Sequence, residues 1–255
     1  MQSPRQTVPS KHCATLDVSR RLRMDERKYC HNPLTPLAFA AAIIAVTLLY
    51  SRSDGLSQST STTIAISRMD IGAPPREFEF ARTGQGSSSR WTVVRDTDGL
   101  EGRVIEQSST DQTDYRFPLA IFRPLATKNV TVSLRFKPLD GRIDRSGGIA
   151  IRVTDADNYY VVRANALEDN IRFYRVVDGR REQIASVDMN VSAGRWHVLG
   201  IKAEGERFAI TFNGKTVITT SDNAISKAGK IALWTKADSV TRFDQIAIDV
   251  LPDKE

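Results

Sequence analysis

Strict alternation of apolar and polar residues constrains the fold of this chain more than any other feature, and it recurs from residue 77 onward. In residues 130–137, Val, Val, Leu and Phe alternate with Thr, Ser, Arg and Lys. A period of two places the apolar side chains on one face of a β-strand, whereas a helix needs a period near 3.6. About a dozen such runs, without an amphipathic helical pattern between them, predict an all-β domain.

The turns between these runs carry a sequence signal of their own. Asn213-Gly214 and Asp178-Gly179 each stand between two alternating runs. Asn-Gly and Asp-Gly favour the tight type I′ turn of a β-hairpin, because both central residues adopt positive φ. Together the runs and turns predict a jelly-roll β-sandwich over residues 77–252, with two antiparallel sheets of about six strands each.

Positive charge is concentrated in residues 1–33, which carry seven Lys or Arg and three Asp or Glu, or +4 of the total +6. The rest of the chain carries 29 basic and 27 acidic residues. A nucleic-acid-binding domain usually carries an excess of basic residues, whereas here the two signs of charge are nearly equal. We therefore expect no nucleic-acid partner. Cys13 and Cys30 also lie in residues 1–33, which we call the basic head. The predicted domain has no cysteine, so a disulfide framework or a cysteine nucleophile within it is excluded.

Residues 34–50 form an uncharged run of 17 residues, which as a helix would span about 25 Å. The excess of Lys and Arg before the run predicts a cytoplasmic tail and an exported domain, periplasmic or extracellular. The run is followed by Arg52 without a small-x-small cleavage site, which favours an uncleaved transmembrane anchor over a signal peptide and a secreted product. Initiation at Met24 would favour the signal peptide. Residues 51–76 are rich in Ser and Thr and predict a linker.

Alternation also assigns side chains to faces. Apolar residues such as Ile149, Ile151 and Ile231 are predicted to point to the core, so their neighbours point the other way. If the strands are neighbours in one sheet, these neighbours form a polar-aromatic face of Arg152, Tyr159, Arg163, Asn165, Arg172, Tyr174 and Trp234. Aromatic rings stack on sugar rings, and Arg and Asn donate hydrogen bonds to hydroxyls.

The alternative interpretation is that this face only solvates the sheet. Arg and Tyr are frequent on the outer faces of sandwich strands. In that case Arg163 with Glu168, or Arg152 with Asp155, would be ion pairs that fix loops.

One short cluster suggests a cation site. Asp155, Asp157 and Asn158 offer three oxygen-bearing side chains between two strands, which suits Ca²⁺. Short Asp and Asn clusters are also common turn formers, and no complete EF-hand loop is present. The turn interpretation is therefore preferred, with Ca²⁺ as the alternative and no other cofactor expected.

His197 is the single histidine of the predicted domain. Period two places it beside Leu199 and Ile201 on the apolar face, so we expect a structural imidazole and not a catalytic base. Trp196 then faces the opposite way, toward the surface that carries Trp234.

Five stretches carry a resemblance to a known superfamily: residues 147–152, 155–168, 196–197, 229–234 and 243–244. In this order they resemble exported proteins of the concanavalin A-like lectin/glucanase superfamily, with a laminin G-like jelly roll. Within it, the chain is similar to the 3-keto-disaccharide hydrolase-like group, once a domain of unknown function. The resemblance implies a jelly-roll fold, and it implies activity only weakly because this superfold hosts lectins, glycosidases and adhesion modules alike.

Three functions follow as hypotheses. The first is a membrane-tethered module that binds carbohydrate or another cell-envelope ligand through the polar-aromatic face. The second, implied by the resemblance, is a glycoside hydrolase-like enzyme acting on a modified disaccharide, with Glu168 and Asp238 as the candidate acid and base. The third is a protein-adhesion or structural domain. Because the sequence contains no complete catalytic motif, the binding module is preferred over the enzyme.

Overall fold

Antiparallel strands make up nearly all of the regular structure in the computed structural model, which describes residues 60–253. One 3₁₀ turn, η1, covers Ile66–Arg68. The strands are β1 (Thr60–Thr63), β2 (Phe78–Gly84), β3 (Trp91–Arg95), β4 (Arg103–Gln107), β5 (Arg116–Thr127), β6 (Val130–Asp140), β7 (Ser146–Asp155), β8 (Asn158–Asn165), β9 (Asn170–Val177), β10 (Arg180–Asp188), β11 (His197–Glu204), β12 (Arg207–Phe212), β13 (Lys215–Ser221), β14 (Gly229–Trp234) and β15 (Val240–Val250).

The strands form two sheets, as the alternation predicts. The eight-stranded sheet has the order β13-β12-β11-β6-β15-β4-β3, with β1 paired to β15. The seven-stranded sheet has the order β10-β9-β8-β7-β14-β5-β2. Neighbouring strands far apart in sequence, such as β6 and β15, show the crossovers of a jelly roll. The all-β two-sheet prediction is confirmed, with more strands per sheet than the six predicted.

Both predicted hairpin turns are present. The residues of the Asn213-Gly214 turn have φ of 47° and 80°, and those of the Asp178-Gly179 turn have φ of 49° and 73°. Positive φ at both central positions is what a type I′ turn requires.

The main hydrophobic core lies between the sheets. Strand residues that alternation assigned to the core, such as Val132, Leu134, Phe136 and Ile149, are all buried there. The seven-stranded sheet is unusual because its other face is also apolar and buried, with Trp234 among its members. A sheet buried on both faces leaves its ends and loops as the places where polar chemistry meets solvent.

The sandwich begins earlier in the chain than predicted. β1 pairs with the end of β15, and the Ile64 and Ile66 side chains are buried in the main core. The segment 60–76, predicted to belong to a linker, therefore supplies a strand and core residues. Its many Ser and Thr residues resemble a linker composition, and two of its three isoleucines, Ile64 and Ile66, are the ones buried in the core.

Two predicted segments, the tail 1–33 and the apolar run 34–50, lie outside the described residues. Within residues 60–253, no helix has the length and apolar character needed to span a bilayer.

Substitution of Ile66 tests whether the early segment belongs to the folded domain. Ile66 is 2% exposed, so Ile66→Ala in the full chain should lower the free energy of unfolding by about 2–5 kcal/mol through lost burial and a cavity. Ile71, which is 38% exposed, provides the matched control, and Ile71→Ala should change stability by less than about 0.5 kcal/mol. Equal effects in urea denaturation would contradict the packing of this segment.

Candidate functional site

Most of the predicted polar-aromatic face lies on the side of the seven-stranded sheet that faces away from the main core. Tyr159, Tyr174 and Trp234 share this side, as alternation predicts, but they form a second apolar cluster and are almost completely buried. The sheet curves over them, since Tyr115 beside β5 donates a hydrogen bond to Gly179 in the β9–β10 turn. Alternation thus assigned these side chains to the correct face of the sheet. It did not predict that the face is buried within the protein.

A chain of hydrogen bonds closes this second cluster. Trp234 Nε1 donates to Tyr159 Oη at 3.3 Å, and Tyr159 and Thr83 Oγ1 are 2.7 Å apart. Because the Thr83 hydroxyl donates to the Ala156 carbonyl at 2.6 Å, the Tyr159 hydroxyl must donate to Thr83. The polar atoms of Tyr159 and Trp234 are therefore already paired within the fold.

Arg152 is not on this face, and the prediction that it is was wrong. A β-bulge in β7 gives Arg152 a φ of 52° and breaks the period of two between Ile151 and Asp155. The side chain, 1% exposed, points instead toward the Tyr160 ring of the main core, 5.8 Å away. Its guanidinium donates to the backbone carbonyls of Lys128, Gly205 and Ile225, and the predicted ion pair with Asp155 is not formed.

Trp196 was also misplaced by the sequence prediction. It precedes β11, which belongs to the eight-stranded sheet, and its ring lies 4.6 Å from the Arg135 guanidinium and 5.0 Å from Lys137 Nζ. Trp196 and Trp234 are therefore on different sheets.

His197 is a structural residue, as predicted. It is buried and stacked on Phe212, with Nε2 2.9 Å from the Ser192 carbonyl. Because a carbonyl accepts, Nε2 carries the proton, and Nδ1 accepts from the Asn213 amide at 3.3 Å.

The remaining predicted residues meet at the end of β8 and the start of β9. Arg163 and Arg172 face each other in the register of these two strands, and Glu168 lies in the turn between them. Glu168 Oε2 is 2.8 Å from Arg163 Nη2 and 3.4 Å from Arg172 Nη1. The carboxylate offsets the repulsion of two like charges on adjacent strands, and the predicted Arg163–Glu168 ion pair is present.

Two asparagines set the geometry of this turn. Asn165 Oδ1 accepts hydrogen bonds from the backbone N–H groups of Leu167 and Glu168, at 2.7 and 3.3 Å. Asn170 Oδ1 accepts from Arg163 Nη1 at 2.7 Å. Asn165 is therefore a positioning residue for Glu168, and Asn170 holds Arg163 in place.

Sequence reasoning missed two members of the site, Asp144 and Lys236. Lys236 Nζ is 3.5 Å from Asp144 Oδ2 and 2.5 Å from Asp114 Oδ1. Burial raises the pKa of Asp144, against the lowering effect of the Arg163 and Lys236 charges. Both residues lie in loops, where no periodicity marks them. We call Asp144, Arg163, Glu168, Arg172 and Lys236 the rim cluster.

Asp238, predicted as an acid or base, holds a loop of this site instead. Its carboxylate accepts hydrogen bonds from the backbone N–H groups of Arg142, Ile143 and Asp144, at 2.7, 3.0 and 3.1 Å. Asp238 is buried, so its contacts are those of a residue that positions Asp144.

Several buried polar atoms at the rim cluster have no hydrogen-bond partner among residues 60–253: Asp144 Oδ2, Arg163 Nε, Asn165 Nδ2 and Arg172 Nε. Buried polar atoms without partners are rare, because each carries an uncompensated desolvation cost. Glu168 and Arg172 remain 38% and 34% exposed, so the cluster is open to a ligand.

The Asp155 cluster has the contacts of a turn. Asp155 Oδ1 accepts from the Asp157 N–H at 2.7 Å and from the Asn158 amide at 3.0 Å. In the part of the chain that the structure describes, no group of three or more His, Cys, Asp or Glu side chains is arranged to hold a metal ion. A Ca²⁺ ion at this turn stays a prediction.

Comparison with known proteins identifies relatives of the domain. Residues 84–249 match the sequence profile of the 3-keto-alpha-glucoside-1,2-lyase-like domain family. The levanase of Bacillus subtilis (strain 168) is 26% identical over 140 residues, which are 54% of this chain and 20% of the levanase. The chain thus spans about a fifth of the length of that relative.

Solved structures share the fold. The carbohydrate-binding module CBM66 from Bacillus subtilis has 22% identity and a TM-score of 0.51, over 66% of this chain and 92% of the module. Lectin II from Ulex europaeus has 10% identity and a TM-score of 0.52, over 75% of this chain and 99% of the lectin. Together with the family match, these likenesses confirm the resemblance to the concanavalin A-like lectin/glucanase superfamily.

The ion pairs of Glu168 predict how the folding stability of the protein depends on pH. Burial alone would raise the pKa of Glu168, but its hydrogen bond and charge interaction with Arg163 lower it below the usual 4.5. A carboxyl with a lowered pKa adds stability above about pH 4, and this stability is lost as the pH falls through the lowered value. Glu168→Gln should therefore be less stable than the unmodified protein at pH 7.

The measurement is urea denaturation of both proteins from pH 7 to pH 3. The stability difference should narrow as the pH falls below about 4. A difference that stays constant or widens would contradict the ion pairs.

Proposed function

This chain belongs to the 3-keto-alpha-glucoside-1,2-lyase-like domain family, and we propose that it is a carbohydrate-binding module whose binding site is the rim cluster. The observation that carries the proposal is the set of buried, unpaired polar atoms at that cluster, counted over residues 60–253. The fold by itself does not decide function, because the same sandwich supports many activities.

The unpaired atoms favour hydroxyl groups as ligands. Arg163 Nε, Arg172 Nε and Asn165 Nδ2 are donors, whereas Asp144 Oδ2 is an acceptor, and none has a hydrogen-bond partner in the described region. Asp144 Oδ2 has the charge of Lys236 Nζ nearby, at 3.5 Å. A hydroxyl both donates and accepts, so neighbouring hydroxyls of one sugar satisfy both kinds of atom.

The surrounding residues make the site rigid. The Arg163 guanidinium lies 5.9 Å from the Tyr174 ring, and Tyr174 belongs to the buried second cluster. A side chain already held in place loses little conformational freedom on binding, which favours affinity. Tyr159 and Trp234 are fully buried with their polar atoms paired within the fold, so we assign them no contact with the ligand.

The relatives support the same class of ligand. Three of them, a levanase, a carbohydrate-binding module and a lectin, have names that refer to carbohydrate. The apolar run 34–50 and the basic head 1–33 support an exported domain tethered to the membrane. We infer that the ligand is a glycan of the cell envelope or its surroundings.

Substitution of Arg172 tests the binding site. Arg172 is partly exposed, so Arg172→Gln should leave the protein folded while removing a donor and a charge from the rim cluster. We expect glycan affinity, measured by calorimetry after a glycan-array screen, to fall about tenfold or more. Trp234→Ala is a poor test, because Trp234 is fully buried and its loss would damage the fold.

Arg207→Gln serves as the matched control. Arg207 is exposed, and the cavity that it lines contains no residue of the rim cluster. It should bind glycans as the unmodified protein does. Unchanged affinity in Arg172→Gln would remove the rim cluster from binding. Failure of the folded protein to bind any glycan would contradict the proposal and favour a protein-adhesion domain.

A second candidate function is an enzyme of the glycoside hydrolase-like class, and Asp144 favours it. This buried carboxyl has a raised pKa and an oxygen without a hydrogen-bond partner within the described chain, which are properties of a general acid. Glu168, whose pKa is lowered, is suited to act as the ionised partner. Asp144 thus replaces Asp238 in the acid–base pair considered from the sequence.

The enzyme is tested with a panel of disaccharides that includes 3-keto forms. If the protein turns one over, Asp144→Asn should lower kcat about 10²–10⁴-fold, because the amide keeps the shape and cannot transfer the proton. Binding of the same sugar should persist. Full activity of Asp144→Asn would exclude Asp144 as the acid, and binding without turnover by the unmodified protein would exclude the enzyme.

A further inference from the structure

A second candidate site lies on the eight-stranded sheet, apart from the rim cluster. β15 contains a bulge after Asp244, where its pairing with β6 skips to Ala247 and Gln245 adopts a φ of 48°. Positive φ is unfavourable for a residue with a side chain, and such bulges recur beside functional sites. The bulge brings the Asp244 carboxyl to the wall of a cavity.

Asp244 is an incompletely paired carboxyl. It is 2% exposed, and its Oδ2 accepts hydrogen bonds from the Leu100 N–H at 3.1 Å and from Arg135 Nη1 at 3.3 Å. Its Oδ1 is buried and has no partner among residues 60–253. Burial raises the pKa of Asp244, the Leu100 hydrogen bond and the Arg135 charge lower it, and the Asp96 and Glu101 carboxylates raise it again. An oxygen in this position needs a donor.

The cavity beside Asp244 has a volume of about 170 Å³, enough for a small organic molecule. Its walls combine apolar and acidic groups: Thr63, Ile66, Leu100, Glu101, Arg103, Asp244 and Gln245. Two of the lining groups are carboxylates and one is a guanidinium. Arg135, which does not line the cavity, pairs with Asp244 Oδ2 and leaves Oδ1 as the acceptor without a donor among residues 60–253. Arg103 is engaged elsewhere, since its Nη1 donates to the Met69 carbonyl at 2.5 Å.

We propose that this cavity binds a protonated primary amine with a compact apolar body. The ammonium group would donate to Asp244 Oδ1 and interact with the charge of Glu101, while the body would contact Ile66 and Leu100. The Asp244 and Glu101 carboxylates favour an ammonium over a hydroxyl, and the apolar walls favour a hydrocarbon body over a sugar. The site is independent of the carbohydrate proposal.

The experiment compares two probes of similar shape on the full chain, cyclohexylammonium and cyclohexanol, by NMR titration. Cyclohexylammonium should shift the backbone amide signals of Leu100 and Gln245, and cyclohexanol should bind at least tenfold more weakly. Asp244→Asn, which preserves shape, should weaken cyclohexylammonium binding at least tenfold. Arg172→Gln at the rim cluster serves as the control and should not change it.

Other results would overturn the proposal. Equal binding of the two probes would exclude recognition of the ammonium group, and absence of binding by both would exclude the site. If Asp244→Asn fails to fold, Glu101→Gln provides the second test, because Glu101 is exposed. Unchanged cyclohexylammonium binding in a folded Glu101→Gln or Asp244→Asn would contradict the assigned contacts.

Discussion

Buried guanidinium groups determine how the ends of this sandwich are built. Arg116, Arg152 and Arg163 are each at most 2% exposed. An arginine stays charged in a protein, so each buried guanidinium must find acceptors or destabilise the fold. Arg116 donates to the carbonyls of residues 87, 88 and 237, and Arg152 to those of residues 128, 205 and 225. The loops are held in place because these charges require their carbonyl oxygens.

Arg163 differs from the other two because its acceptors are side chains. Glu168 and Asn170 take hydrogen bonds from its terminal nitrogens, while its Nε stays unpaired within residues 60–253. Arg116 and Arg152 are thus held mainly by loop carbonyls, with the Ser109 hydroxyl also accepting from Arg116, and every nitrogen of both guanidinium groups donates a hydrogen bond. The Nε of the third arginine has no such partner within residues 60–253. That difference distinguishes a structural anchor from a group that can meet a ligand.

The second apolar cluster explains why the rim cluster lies at an edge. A sandwich usually has one buried and one solvated face on each sheet. Here the seven-stranded sheet curves over Phe117, Tyr159 and Trp234 and buries its second face. The broad face that sequence alternation offered for ligand binding is therefore filled by the protein itself, and open polar chemistry is restricted to the strand ends.

The sequence by itself determined the all-β architecture, the two hairpin turns, the core role of His197 and the shared face of Tyr159, Tyr174 and Trp234. These depend on period two and on turn residues with positive φ, which are local properties. It also found Arg163, Glu168 and Arg172, because they lie within ten residues of one hairpin. Only the tertiary structure decided the rest. A bulge turned the Arg152 side chain to the opposite face of its sheet, and loops brought Asp144 and Lys236 to the rim cluster. Curvature of the sheet buried Trp234. Bulges, loop positions and curvature depend on contacts between residues distant in sequence.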